Sequence, residues 1–118
     1  MGSLNRPDKR VFRPMQVSQE YQYFVSKIVD VCRDPHINCI FATQPTAYQN
    51  DAGNEIKETF WITPFEEDYT LDFPSLVYIA NLYNEFILTY ARVNNMTSCD
   101  LVSKIPPTLE YFWDGVHF

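Results

Sequence analysis

The strongest hydrophobic pattern in this chain follows Ser18. Apolar and aromatic residues recur there at helical spacing, at Tyr21, Phe24, Val25, Ile28, Val29 and Cys32. Positions three and four residues apart share one helix face, so the pattern predicts an amphipathic helix packed on a sheet. Ser18 is a favourable N-cap, and Asp34-Pro35 predicts an end near Arg33, because a residue before proline disfavours helical geometry.

A nearly continuous apolar run, residues 37–43, comes next. Its centre is Cys39-Ile40-Phe41-Ala42, which is typical of a strand buried on both faces in a parallel sheet. Thr43, Gln44 and Pro45 then leave from the carboxyl end of this strand, where open α/β sheets place their sites. These three residues are therefore candidate pocket residues.

A second helix and a second strand are predicted further along the chain. Pro74-Ser75 suggests a helix start with Ser75 as the cap, and Asn94-Asn95 supplies a polar stop that tolerates left-handed geometry. The apolar face between them consists of Leu76, Ile79, Ala80, Tyr83, Phe86, Ile87, Tyr90 and Ala91. Residues 99–102 predict the second strand, and Ile105-Pro106-Pro107 leads away from it.

Two segments lack a sustained period. Residues 1–17 contain two prolines and several charges, and predict a tail or connecting loop. Residues 44–73 form a long segment that is too aromatic for simple disorder. This segment is either a lid or pocket wall, with Trp61 as a candidate pocket residue, or an ordered insertion packed on its own domain.

Composition limits the classes of partner. A net charge of −6 argues against a nucleic-acid surface, which needs clustered Lys and Arg. No stretch approaches the ~20 apolar residues of a membrane span. Cys32, Cys39 and Cys99 have no C-x-x-C spacing, and buried free thiols are the expected state. Asn95-Met96-Thr97 has the form of an N-glycosylation sequon, whose use requires export. The sequence leaves the compartment open.

The candidate chemistry lies in the terminal block Asp114-Gly115-Val116-His117. A carboxylate and an imidazole three positions apart can form two-thirds of a hydrolytic triad. In such a triad the Asp fixes the tautomer of the His, whose other ring nitrogen takes the proton of a serine hydroxyl. Gly115 is expected to adopt a positive φ in the tight turn that brings the two side chains together.

Together with Tyr111-Phe112-Trp113 and Phe118, this block resembles the last block of the SGNH (GDSL-type) hydrolases. Residues 40–46, Tyr83-Asn84-Glu85-Phe86 and Cys99-Asp100-Leu101 are similar to the family's strands and late helix in the same order. The resemblance covers residues 18–118. It implies the C-terminal half of a three-layer α/β/α, flavodoxin-like fold, with about two parallel strands and two main helices.

The resemblance also implies a serine esterase or lipase-like hydrolase that acts on carboxylic esters or O-acetyl groups of small molecules or carbohydrates. Asp114 and His117 would be catalytic, and neither a metal nor an organic cofactor would be required. The family's Gly-Asp-Ser-Leu-like block has no counterpart here, and no serine of this chain lies in a glycine-flanked elbow. We therefore expect the C-terminal portion of such an enzyme, inactive by itself.

Two other functions fit the same residues. The chain could be a non-catalytic α/β binding or assembly module, in which Asp114 and His117 only shape a C-terminal turn. It could instead be a half-enzyme completed by a polypeptide that carries the serine. With two strands the sheet has an open edge, so we expect marginal stability alone, or association through that edge with a second copy or with a complementing N-terminal half.

Overall fold

The computed structural model describes residues 8–60 and 68–118. Helices and short parallel strands alternate along the chain, which makes this a small α/β fold. The strands are β1 (Lys9–Arg10), β2 (Ile40–Ala42), β3 (Thr70–Leu71) and β4 (Thr97–Cys99). The helices are α1 (Gln19–Cys32), α2 (Asn54–Lys57) and α3 (Phe73–Val93), and a short 3-10 helix follows at Val102–Lys104.

The first helix is confirmed. Ser18 caps α1 through its hydroxyl, which accepts a hydrogen bond from the Tyr21 amide at 3.2 Å. Only one side of the predicted apolar face is covered, because Val25 and Val29 are buried while Phe24 and Ile28 are exposed. The α1 stripe therefore has more apolar surface than its present neighbours cover.

The second helix begins earlier than predicted. Asp72, not Ser75, is the N-cap, and its carboxylate accepts from the Ser75 amide at 2.9 Å. Ser75 is fully buried in the first turn, where its hydroxyl accepts from the amide of Phe12 at 3.0 Å. The predicted end is confirmed, since Asn94 is the C-cap and Asn95 has a φ of 57°.

The strands form two parallel pairs among the described residues, β1 with β3 and β2 with β4. In the second pair Phe41 lies opposite Ser98. Phe41 packs in one buried cluster with Val29 of α1 and Ala91 of α3, so both helices cover the same face of this pair. Alternation along a strand directs Ile40 to the other face, and Ile40 is 70% exposed.

The first predicted strand is therefore shorter than residues 37–43, and the second is shifted along the chain. In addition, β2 is buried on one face only. Residues 37–39 lie outside the strand, between β2 and the preceding turn, which the Ile37 amide closes by donating to the carbonyl of Asp34. The predicted strand at 99–102 lies two residues earlier, at Thr97–Cys99. Its expected continuation turns away instead, because the Val102 amide donates to the hydroxyl of Thr43 at 2.9 Å.

The expectation of buried free thiols is wrong. Cys32 and Cys39 form a disulfide that spans the turn between α1 and β2, with Cα atoms 5.8 Å apart. Cys99 is free and exposed. The helix, the Asp34-Pro35 turn and the returning strand bring the first two cysteines together, which their spacing alone does not indicate.

Both segments without a period contain ordered structure among the described residues. From residue 8 onward the expected tail contains β1 and the buried Val17. In the 44–73 segment a second buried cluster forms, in which Ala47, Tyr48, Ala52, Ile56 and Phe60 pack with Leu76, Val77 and Phe112. Residues 61–67, including Trp61, lie outside the described part. Within that part no helix is long and apolar enough to cross a bilayer.

Candidate active site

The terminal loop brings Asp114 and His117 into direct contact. The Oδ2 atom of Asp114 lies 2.7 Å from Nδ1 of His117. A carboxylate only accepts hydrogen bonds, so this contact assigns the ring proton to Nδ1 when the imidazole is neutral. The Nε2 atom is then the basic nitrogen. A triad histidine needs this tautomer, with the proton on Nδ1.

Backbone amides hold the carboxylate in place. The other oxygen of Asp114, Oδ1, accepts from the amides of Val116 at 2.8 Å and His117 at 2.9 Å. The Trp113 amide donates to the carbonyl of His117 at 2.8 Å and closes the turn. Side-chain exposure differs within the pair, at 16% for Asp114 and 64% for His117. The loop therefore buries the orienting carboxylate and presents the imidazole.

A glycine is required at position 115 because the Tyr48 side chain lies close to its Cα, and not because the backbone adopts a conformation that only glycine tolerates. Its φ is not positive, contrary to the expectation, but a Cβ built there would lie 2.6 Å from the ring and hydroxyl of Tyr48. The Gly115 carbonyl also accepts from the amide of Ala47 at 2.8 Å. The terminal loop is thus fastened to the segment that follows β2.

Tyr48 lies beneath the terminal loop as a buried neutral phenol. Burial, and secondarily the negative charge of Asp114, raises the pKa of Tyr48 well above its ordinary value of 10.0. Its hydroxyl has no hydrogen-bond partner among the described residues. The ring packs edge-on against Phe60, with centroids 4.8 Å apart. The sequence does not indicate this position for Tyr48, because no local pattern links it to residue 115.

The predicted pocket residues lie at the carboxyl end of β2. Thr43 is buried, and its hydroxyl donates to Oδ1 of Asp100 at 3.1 Å, which connects the ends of β2 and β4. The backbone of Gln44 is held on both sides by the Asn84 amide group, through bonds of 2.8 and 3.1 Å. Pro45 is buried next to them.

A largely apolar cavity of about 560 Å³ opens beside this segment. Gln44, Tyr48 and Asn84 are among its lining residues, together with Leu76, Tyr83 and Ile87 of α3. Cavities of this size suit small-molecule ligands. Tyr48 therefore lies between the cavity and the terminal loop that carries the Asp114–His117 pair. The described residues contain no group of three or more His, Cys, Asp or Glu that could hold a metal ion.

Comparison with protein-family models, with curated proteins and with solved structures gives no significant match for this chain.

Proposed function

We propose that this chain is the C-terminal part of a serine ester hydrolase with an SGNH-type, three-layer α/β/α fold. The observation that carries the proposal is the 2.7 Å contact between Asp114 and His117, in which two backbone amides fix the carboxylate. The resemblance of residues 111–118 to the last block of that family is the second support.

In the proposed reaction His117 is the general base and then the general acid. Nε2 takes the proton of a serine hydroxyl supplied from outside these residues, while the serine oxygen attacks the acyl carbon. The same proton passes to the leaving alcohol as the acyl-serine ester forms. A water molecule, deprotonated by Nε2, then attacks the acyl carbon, the bond to the serine oxygen breaks, and Nε2 returns the proton to that oxygen as the acid leaves. Asp114 stabilises the imidazolium that forms in both steps. These steps require no metal and no organic cofactor.

The cavity beside Gln44 and Tyr48 is the proposed site for the apolar part of the ester. Its walls are mainly aliphatic and aromatic side chains, which favour a hydrocarbon group over a charged one. The proposed substrate class, a carboxylic ester or an O-acetyl group, follows from the family resemblance and the Asp114–His117 pair.

The test uses the longest reading frame that contains this sequence, assayed for p-nitrophenyl acetate hydrolysis and for covalent labelling by a fluorophosphonate. Asp114→Asn should lower kcat about 10⁴-fold, and His117→Ala by at least as much, because each removes a member of the proton-transfer pair. The chain of 118 residues by itself should show neither hydrolysis nor labelling.

A matched control is present in the chain. His36 lies 3.1 Å from the carboxylate of Asp34 in an exposed turn, as a second Asp–His pair of similar chemistry. His36→Ala should leave kcat unchanged. Equal effects of His36→Ala and His117→Ala, or no labelling in the longest frame, would contradict the proposal.

A second candidate function is a binding or assembly module without catalysis. The specific observation behind it is the apolar surface beside β2, where Phe24, Ile28 and Ile40 are each more than half exposed. Each described strand has one hydrogen-bonded neighbour, which leaves an edge of β2 open to another strand.

A further inference from the structure

The turn between α1 and β2 contains a chemical indication of where the chain matures. Cys32 ends α1 and Cys39 immediately precedes β2, and the two are joined as a disulfide. Such bonds form and persist in oxidising compartments, whereas the cytosol keeps thiols reduced. Use of the Asn95-Met96-Thr97 sequon requires export, and the disulfide is an indication of export that the sequence alone does not give.

The sequon lies in an accessible turn. Asn95 follows the C-cap of α3 with a φ of 57°, and Thr97 is the first residue of β4; both are exposed. Its neighbour Asn94 is engaged on both sides, since its Oδ1 accepts from Arg33 at 2.9 Å and its Nδ2 donates to Tyr90 at 2.8 Å. No such side-chain bond of Asn95 occurs among the described residues.

From these two observations we infer that Asn95 is an N-glycosylation site and that the chain matures in an export pathway. The second position of the sequon is Met96 rather than proline, so the tripeptide fits the acceptor rule. Met96 packs against the cluster of Val29, Phe41 and Ala91, which directs the turn outward at its two flanking residues.

The location keeps a glycan away from the candidate active site. Asn95 precedes the amino-terminal end of β4, whereas Thr43 and Asp100 join the carboxyl ends of β2 and β4. In a parallel pair these are opposite ends of the sheet. An oligosaccharide on Asn95 therefore leaves the terminal loop open, and the inference does not depend on the hydrolase proposal.

The donor is an oligosaccharide linked through a diphosphate to a polyisoprenoid lipid. The Nδ2 atom of Asn95 forms a bond to the anomeric carbon of the first sugar, and the bond from that carbon to the diphosphate oxygen breaks. The lipid diphosphate leaves with the bonding electron pair, and a base of the transferase takes one proton from Nδ2. No oxidation or reduction is involved.

The test expresses the full chain behind a signal peptide in a eukaryotic host. Secreted and cell-retained material are both analysed by intact mass before and after peptide-N-glycosidase F. One oligosaccharide is expected, and its enzymatic release should convert Asn95 to aspartate in the peptide map. Asn95→Asp keeps the preference for left-handed geometry and should abolish the mass shift. Thr97→Ala should abolish it without changing Asn95, whereas Thr97→Ser and Asn94→Gln should retain it.

A thiol titration checks the disulfide independently. The native protein should react at one cysteine, Cys99, and reduction under denaturing conditions should raise the number to the three that the sequence contains. Unmodified Asn95 in both fractions, a glycan that persists in Thr97→Ala, or three reactive thiols in the native protein would each overturn the inference.

Discussion

At the scale of single residues, the contact between Gly115 and Tyr48 sets the position of the terminal loop. The glycine has no Cβ where the phenol lies, and its carbonyl bonds to Ala47. Phe112, in the same loop, is almost completely buried in the cluster that includes Tyr48. The Asp114–His117 pair is therefore positioned by packing beneath the loop as well as by hydrogen bonds within it.

Gly115→Ala tests this packing. The new methyl would meet the Tyr48 ring at 2.6 Å, so we expect the free energy of unfolding to fall by about 1–3 kcal/mol, as in other overpacked cores. Gly53→Ala is the control, because a Cβ at Gly53 would meet nothing within 4 Å. Denaturant titration measures both. Equal, small effects of the two substitutions would contradict the close approach.

Tyr48→Phe tests the unpaired hydroxyl. A buried polar group without a partner costs about 1–3 kcal/mol, so its removal should leave stability unchanged or raise it by up to about 1 kcal/mol. Tyr78→Phe is the matched comparison, because the Tyr78 hydroxyl donates to the Pro14 carbonyl at 2.6 Å. That variant should lose about 1 kcal/mol. A larger loss in Tyr48→Phe than in Tyr78→Phe would show that the Tyr48 hydroxyl has a partner.

At the scale of elements, α3 connects the two buried clusters. Leu76 and Val77 near its start belong to the cluster with Tyr48, and Ala91 near its end packs with Phe41 and Val29. Asp72 begins the helix, and the buried hydroxyl of Ser75 ties its first turn to the backbone of Phe12. The start of α3 is therefore a junction between the amino-terminal segment and the core.

The cap of α3 should make stability depend on pH. The hydrogen bond from the Ser75 side chain, helped by the Ser75 amide and the charge of Arg13, holds the pKa of Asp72 below its ordinary value of 3.8 despite the opposing effect of burial. Because the folded-state pKa lies below the unfolded-state pKa, the carboxylate of Asp72 takes up its proton at a lower pH in the folded state than in the unfolded state. The contribution of Asp72 is therefore complete above the unfolded pKa and is lost as the pH falls through the folded pKa.

Asp72→Ala should accordingly lower the free energy of unfolding by about 1 kcal/mol at pH 7, with the difference from wild type shrinking below pH 3.8. Ser18→Ala removes the uncharged cap of α1 and should lower the free energy of unfolding by about 1 kcal/mol both at pH 7 and below pH 3.8. Thermal unfolding at a series of pH values separates the two. A pH-independent loss in Asp72→Ala would contradict the role of the charged cap.

At the scale of the whole molecule, one face of the β2–β4 pair is covered by helices and the other is not. Phe41 is enclosed by α1 and α3, whereas Ile40 and Cys99 are exposed. Phe24 and Ile28 extend the apolar surface from α1 to the edge of β2. This surface is the part of the molecule that a further layer or partner would cover.

We expect the chain to associate with a second copy through this surface. Since each copy carries a net charge of −6, added salt should strengthen the association by screening repulsion. Ile40→Lys places a charge on the open strand and should give monomers. Val93→Lys, at a site 71% exposed at the end of α3, should behave as wild type. Sedimentation velocity over a concentration series is the measurement, and a wild-type monomer throughout would contradict the expectation.

Local patterns in the sequence were sufficient to predict α1, the end of α3, the parallel α/β class and the contact between Asp114 and His117. They did not predict α2 or the start of α3. The predicted features depend on local spacing: the stripe from Tyr21 to Cys32, the Asn94-Asn95 stop, and the separation of three positions between Asp114 and His117. Periodicity and short-range geometry are sufficient for such features, because interacting groups are close in the chain.

Features that join residues far apart in the chain could not be predicted from local patterns. The fit of Gly115 against Tyr48 depends on how distant segments meet, and so does the bond from the Phe12 amide to the buried hydroxyl of Ser75. The Cys32–Cys39 disulfide depends on how α1, the following turn and β2 are arranged. The second strand also ends before Val102, because the Val102 amide donates to the hydroxyl of Thr43 and not to a neighbouring strand. Burial of β2 on one face only has the same origin, since alternation fixes which side chains share a face but not whether another layer covers it.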